Sequence, residues 1–311
     1  MIRVQGLTKY YGERAAISNL TFEIERGAAV GFLGLNGAGK STTLKVLGCV
    51  LLPTSGQVTI DGFDVVQDPH EIRKRIGFLP DTPPLYDEMT VGDYLAFVAQ
   101  LRGVASSDVK ARVAEVEKKT ALEAAHGAPI FSLSHGFRQR VGVAQAMVHK
   151  PRLLILDEPT GGLDPVQIVE MRELIKALKG EHTVLVSSHI LSEISQVCDR
   201  LLVIQNGEIV AQGSEAELAR RAGDGGNVEL EIRGAAQKAI DALKAVPHVT
   251  DVELARLDGE VAVLRVMTTQ EVRPALLRAL VAADVDVLRV DKSTGRLESI
   301  FLKLTHGEAK A

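Results

Sequence analysis

The sequence predicts an α/β fold of two domains, on three observations. An apolar strand, Ala28 to Leu33, runs into a glycine-rich loop and then into a helix that Gly48 ends. Two further strands, at Leu153 to Leu156 and Thr183 to Ser188, read as buried strands with acids or a histidine at their carboxyl ends. A glycine-rich break at Gly223-Asp224-Gly225-Gly226-Asn227 is followed by a second, shorter alternation of strands and helices. A chain of 311 residues suits this division.

In chain order, residues 1–33 read as antiparallel strands: Ile2 to Val4, Ala16 to Ile24, and the strand into the loop. Thr21-Phe22-Glu23-Ile24-Glu25 alternates polar and apolar, as a half-buried strand does. Tyr10-Tyr11-Gly12 falls in the first turn, where a tyrosine either stacks on a purine ring or packs its own turn. Gly34-Leu35-Asn36-Gly37-Ala38-Gly39-Lys40-Ser41-Thr42 then matches G-x-x-x-x-G-K-[ST], between a strand and a helix as the pattern requires. Its glycines let successive N–H groups turn toward an anion, and the helix N-terminus adds its dipole. Asn36, Gly37, Gly39, Lys40, Ser41 and Thr42 are therefore candidate phosphate contacts. Lys40 can reach β- and γ-phosphates, and the Ser41 hydroxyl can hold Mg²⁺.

Turns at Pro53 to Gly56 and Asp61-Gly62 bracket a strand at Gln57 to Ile60. A short basic helix begins at Asp68-Pro69, and Arg75 to Leu79 is a strand. Three prolines in Pro80-Asp81-Thr82-Pro83-Pro84 mark a loop. Thr90 to Leu101 and Asp108 to Thr120 carry apolar residues at helical spacing and predict an inserted helical subdomain over about 85–150. Ser134 is an N-cap for the helix beyond it. Asp157 and Glu158 close the strand of Leu153 to Leu156, the end at which open α/β sheets bind ligands. Asp157 suits Mg²⁺, and Glu158 is placed to polarise an attacking water. Asp164 and Pro165 start a helix as N-cap and first residue. His189, after the next buried strand, is expected beside the two acids.

Beyond the break, Val228 to Ile232, Ala235 to Val246, Val252 with Leu254, Val261 with Val263, Gln270 to Ala283 and Val285 to Val290 read as β-α-β-β-α-β, with a closing helix at Leu297 to Leu304. That order suggests a small ferredoxin-like α+β domain. The division expected is thus 1–222 and 226–311.

Composition excludes several functions. Aromatic residues make up 4% and tryptophan is absent, so base-stacking platforms are not expected. A net charge of -4 forces no basic face, and no nucleic-acid partner is expected. Cys49 and Cys198 fit buried thiols in a reducing compartment. No apolar run spans a membrane and no leader pattern opens the chain, so a membrane role requires another chain.

Together these motifs resemble the nucleotide-binding subunits of ABC transporters over residues 1 to about 220. Leu133-Ser134-His135-Gly136-Phe137 corresponds to the family's signature motif, Gly162-Leu163-Asp164 to the loop that crosses between subunits, and His189 to the switch histidine. Tyr11 takes the place of the adenine-stacking aromatic. Asp81 stands where a glutamine is usual, His135 where a glycine is usual, and Phe137 where a glutamine is usual. These departures and the C-terminal ending resemble the ABC-2-type exporter branch. The resemblance implies a P-loop ATPase of the ABC type, with a mixed central sheet, an antiparallel β subdomain and an inserted helical subdomain. It implies ATP and Mg²⁺ as cofactors, with Ser41, Asp157 and Asp81 toward the metal and Lys40, Glu158 and His189 in catalysis. Ser134, Gly136 and Asp164 would face nucleotide across a homodimer. A separate transmembrane permease is the implied partner, at the cytoplasmic face of the cell membrane. The rival class is a soluble ABC ATPase acting on a ribosome or DNA complex.

Overall fold

The computed structural model describes residues 1–221 and 228–292. By contacts the chain divides into two units, Met1–Gln212 and Gly213–Ala311. The division falls upstream of the glycine-rich break, which lies with residue 222 outside the described residues, as does the closing helix expected at 297–304.

The first unit opens with β1 (Ile2–Tyr11) and β2 (Arg14–Ile24), which form an antiparallel hairpin. Tyr10 and Tyr11 are the last residues of β1 rather than part of the turn. β3 (Ala29–Leu33) leads into the glycine loop and α1 (Lys40–Leu47). β4 (Ser55–Ile60) and β5 (Phe63–Asp64) complete a four-stranded antiparallel sheet in the order β2-β1-β4-β5. After α2 (Pro69–Arg73) and β6 (Ile76–Leu79), the helical insertion comprises α3 (Val91–Leu101), α4 (Val109–Thr120), two short 3₁₀ turns and α5 (His135–Met147). The unit closes with β7 (Leu153–Leu156), α6 (Pro165–Leu178), β8 (Thr183–Ser188), α7 (Leu191–Ile194), β9 (Arg200–Gln205) and β10 (Glu208–Gly213).

One expectation from the sequence is corrected here. β3 does not join the antiparallel strands that precede it. It lies at the middle of a six-stranded sheet, order β10-β9-β3-β8-β7-β6, and pairs in parallel with β8 and β9. The physical reason is burial: all five β3 residues are buried, which an edge position in a one-sided sheet cannot achieve. The two sheets share one core. Phe22 of the antiparallel sheet meets Phe32 of β3 edge to face, ring centroids 5.6 Å apart, with Leu44 and Leu47 of α1 in the same cluster.

Parallel register brings the site residues to one edge. Leu33 pairs with Ser188, Leu156 with Val186, and Leu79 with Leu156. The residues that follow each strand therefore emerge side by side: the glycine loop after Leu33, Asp81 after Leu79, Asp157 and Glu158 after Leu156, and His189 after Ser188. This is the carboxyl edge of the parallel strands, where such sheets bind ligands.

His149 packs behind this sheet. Its Nε2 donates to the Ile76 carbonyl at 3.0 Å, and its Nδ1 is buried with no hydrogen-bond partner among the described residues. Burial, with the Arg102 charge second, pushes its pKa down to about 4. The unfolded chain takes up this proton near pH 6.5, while the folded chain does not until about pH 4. Stability is therefore full above pH 6.5 and falls as pH drops toward 4, by on the order of 3 kcal/mol from this residue. The drop in urea midpoint between pH 7.5 and pH 5 is expected to shrink in His149→Gln, whose amide can still donate to Ile76.

The second unit begins with α8 (Glu215–Arg221). Then come β11 (Val228–Arg233), α9 (Ala236–Lys244), β12 (Val249–Asp258), β13 (Val261–Thr268), α10 (Arg273–Ala282) and β14 (Asp286–Lys292). The strands form one antiparallel sheet in the order β12-β13-β11-β14. This is the ferredoxin-like β-α-β-β-α-β arrangement. Val228, Leu230 and Ile232 alternate into a core with Ala262, Leu264 and Val266, closed by Ala239 and Leu243 of α9 and Leu276 and Leu280 of α10.

Candidate functional site

At that edge lies a cleft of about 770 Å³, whose lining includes Tyr11, Arg14 and Asn206 as well as Asp81, Glu158 and His189. The glycine loop also lines it, through Asn36, Gly37, Gly39, Lys40, Ser41 and Thr42. Two glycines explain the loop's path. Gly39 caps α1 at φ 110, and a side chain there would lie 2.8 Å from the Ala16 carbonyl oxygen. Gly34 runs so close to the Ile204 carbonyl that a Cβ would come within 2.4 Å of it. With no side chain at either position, the loop lies close against Ala16 and Ile204 and delivers the N-terminus of α1 to the cleft, where a helix favours an anion.

Lys40 is 5% exposed, and its Nζ donates to the Gly34 carbonyl at 2.7 Å. The same ammonium lies 3.2 Å from Glu158 Oε1. The other Glu158 oxygen, Oε2, meets His189 Nδ1 at 2.9 Å. Glu158 has φ 48, a region that non-glycine residues seldom adopt, and its N–H donates to Ser187 Oγ at 2.9 Å. The Ser187 hydroxyl in turn donates to Asp157 Oδ1 at 2.6 Å, and the Ser41 hydroxyl donates to the same oxygen at 3.1 Å.

Asp157 is 1% exposed, and its second oxygen, Oδ2, has no partner among the described residues. Burial pushes its pKa above the ordinary carboxylate value, against the hydrogen bonds from Ser187 and Ser41 and with help from the Asp81 and Glu158 charges. A buried acid with a spare oxygen, next to the Ser41 hydroxyl and facing a phosphate loop, fits a hard divalent cation.

The structure thus brings together ten of the residues singled out from the sequence: Tyr11, Asn36, Gly37, Gly39, Lys40, Ser41, Thr42, Asp81, Glu158 and His189 all line the cleft. Tyr11 is 52% exposed at its rim, with Lys9 Nζ 5.7 Å from the ring centroid. Ser134, Gly136 and Asp164 are elsewhere. Ser134 and Asp164 are exposed N-caps of α5 and α6, accepting from Phe137 N and from Val166 and Gln167 N. Gly136 lines a separate hollow of about 320 Å³ with Phe137, Arg140 and Gln167. Sequence reading missed Arg14 and Asn206 on the cleft wall and Ser187 beneath it. No local motif marks them, because each is placed by a strand end distant in sequence.

A phosphate loop, paired acids and a histidine at the edge of a parallel sheet define a nucleoside-triphosphate hydrolase. The profile described as ABC transporter matches residues 17–161. The linearmycin resistance ATP-binding protein LnrL of Bacillus subtilis (strain 168) is 30% identical over 306 residues, 98% of both chains. The bacitracin transport ATP-binding protein BcrA of Bacillus licheniformis is 35% identical over 310 residues, 99% of this chain and 98% of the relative. A dimeric structure of a post-hydrolysis state of the ATP-binding cassette MJ0796, bound to ADP and Pi, superposes with a TM-score of 0.63 at 28% identity, covering 69% of this chain and 98% of that one. The chain belongs to the ABC transporter family, as an ATP-binding subunit that hydrolyses ATP. Among the described residues no helix is long and apolar enough to cross a membrane.

Proposed function

We propose that the chain powers an ABC-2-type exporter as a head-to-tail homodimer seated on a separate transmembrane permease at the inner face of the cell membrane. The observation that carries this reading is the split in the site. Ser134 and Asp164 are exposed at the starts of α5 and α6, outside the cleft that ten other candidate residues line, and the buried Gly136 lies in the first turn of α5 beside Ser134. A second copy, docked head to tail, would set its α5 N-terminus against the phosphates held in the first cleft. Export as the direction is supported by full-length similarity to proteins named for bacitracin transport and linearmycin resistance.

Within the cleft, Lys40 and the loop N–H groups bind the β- and γ-phosphates and neutralise charge that grows on the transferring group. Tyr11 carries the adenine. Ser41 and Asp157, with Asp81, would hold Mg²⁺, and the metal would supply further charge neutralisation at the phosphates. Glu158 accepts a proton from the attacking water, and His189, hydrogen-bonded to it, holds that carboxylate in line and faces the γ-phosphate. Loss of that phosphate removes what joins the two chains, so the dimer opens and passes the change to the permease.

The test is an affinity capture from detergent-solubilised native membranes, with Glu158→Gln protein and ATP. A multi-span membrane protein in near-stoichiometric amount is expected. Recovery of ribosomes or nucleic acid alone would overturn the transport reading and favour the soluble one.

A further inference from the structure

Glu158 sits in a strained backbone conformation, and such a conformation persists only where its surroundings over-determine it. One restraint is the bond from its N–H to Ser187 Oγ. A second lies two residues on. Thr160 Oγ1 donates to Glu193 Oε2 at 2.6 Å, and the pair is buried, with Thr160 8% and Glu193 9% exposed. Acids are seldom buried this far without a partner, and a hydroxyl with no acceptor there would carry its full desolvation cost. Glu193 belongs to α7, which starts directly after His189 and Ile190. The loop of Glu158 and the segment of His189 are therefore joined twice, by His189 Nδ1 to Glu158 Oε2 at 2.9 Å and by Thr160 to Glu193.

We propose that Glu193 is a positioning residue for ATP hydrolysis: acting through Thr160, it fixes the direction in which the Glu158 carboxylate faces the γ-phosphate and keeps His189 opposite it. The inference rests on the assignment of Glu158 to the attacking water made above. Neither Thr160 nor Glu193 lines the cleft, so the pair governs the rate of the chemical step and not the affinity for nucleotide.

The experiment compares kcat and ATP affinity of the full chain in Thr160→Val, Thr160→Ser, Glu193→Leu, Glu193→Gln and the double variant Thr160→Val/Glu193→Leu, with Glu158→Gln as reference. Thr160→Val keeps the side-chain shape, so it reports on the hydrogen bond even where Glu193→Leu folds poorly. Thr160→Val and Glu193→Leu are expected to lower kcat by about 10- to 100-fold, the scale of a small misplacement of a reacting group, with ATP affinity unchanged. Thr160→Ser and Glu193→Gln keep a donor and an acceptor and are expected to turn over near the wild-type rate. The double variant is expected to be no slower than the slower single one. A wild-type kcat in Thr160→Val, or fully additive losses in the double variant, would overturn the proposal. Wild-type turnover in Glu158→Gln would instead remove the assignment on which it rests. An inactive Glu158→Gln beside a fully active Thr160→Val would remove only the role of Glu193.

Discussion

Glu158→Gln is expected to lower the turnover number for ATP by about 10²–10⁴-fold, the range general-base assistance supplies, while ATP still binds. The substitution keeps the length of the side chain and the hydrogen bond that Ser187 makes to the residue's N–H. An amide oxygen can still accept from His189, in place of Glu158 Oε2. What the amide cannot do is take a proton from water. It also cannot balance the Lys40 ammonium, which lies 3.2 Å from Glu158 Oε1. That leaves Lys40 freer to meet a phosphate, so affinity for ATP should hold or rise while hydrolysis stops. Phosphate release measured beside equilibrium binding of a fluorescent ATP analogue checks both halves. Wild-type phosphate release would contradict the role of Glu158.

Lys40→Met is expected to fail in a different way, losing binding as well as turnover. Methionine matches the lysine stem in bulk but carries no charge, so the buried wall formed by that stem is kept. The lysine side chain is 5% exposed, and its ammonium lies between the Gly34 carbonyl and the Glu158 carboxylate, a setting in which a positioned charge acts with little screening by water. Removing a preorganised group of this kind costs about 10²–10³ in kcat. On the proposed role the affinity falls too, because a lysine that already meets the phosphates in the ground state, and meets them more strongly as their charge grows in the transition state, serves both binding and chemistry. Its removal also leaves Glu158, 14% exposed, without its cation and next to an incoming polyanion. A variant that bound ATP as tightly as the wild type and lost only turnover would contradict this account of Lys40.

What the sequence revealed depended on how local each determinant was. Ser134 and Asp164 were legible as N-caps, since a cap is set by the residues immediately beside it, and both accept the expected backbone bonds. The glycine loop was legible for the same reason. The edge that unites Lys40, Asp157, Glu158 and His189 followed from three buried strands and the rule that ligands gather at their carboxyl ends. The sheet to which β3 belongs was not legible. Its partners β8 and β9 lie far along the chain, whereas the hairpin of β1 and β2 stands directly before it and invited an antiparallel assignment. The buried hydroxyls were equally silent. Ser187 and Thr160 look like ordinary strand and turn residues until folding brings Glu158 N–H to one and Glu193 to the other. His135 belongs with them: in a motif that resembles the family's signature it donates from Nε2 to the Gly161 carbonyl at 2.9 Å, a contact that nothing in the motif itself encodes.

The central claim is that one chain holds two halves of different ATP sites. Light scattering of Glu158→Gln protein with and without ATP tests it most directly, since binding without hydrolysis should hold the joined state. The account predicts a monomer without nucleotide and a dimer when ATP is added, with the dimer lost on Ser134→Trp, which blocks the surface offered to the second cleft. A monomer at every protein concentration in saturating ATP would contradict it.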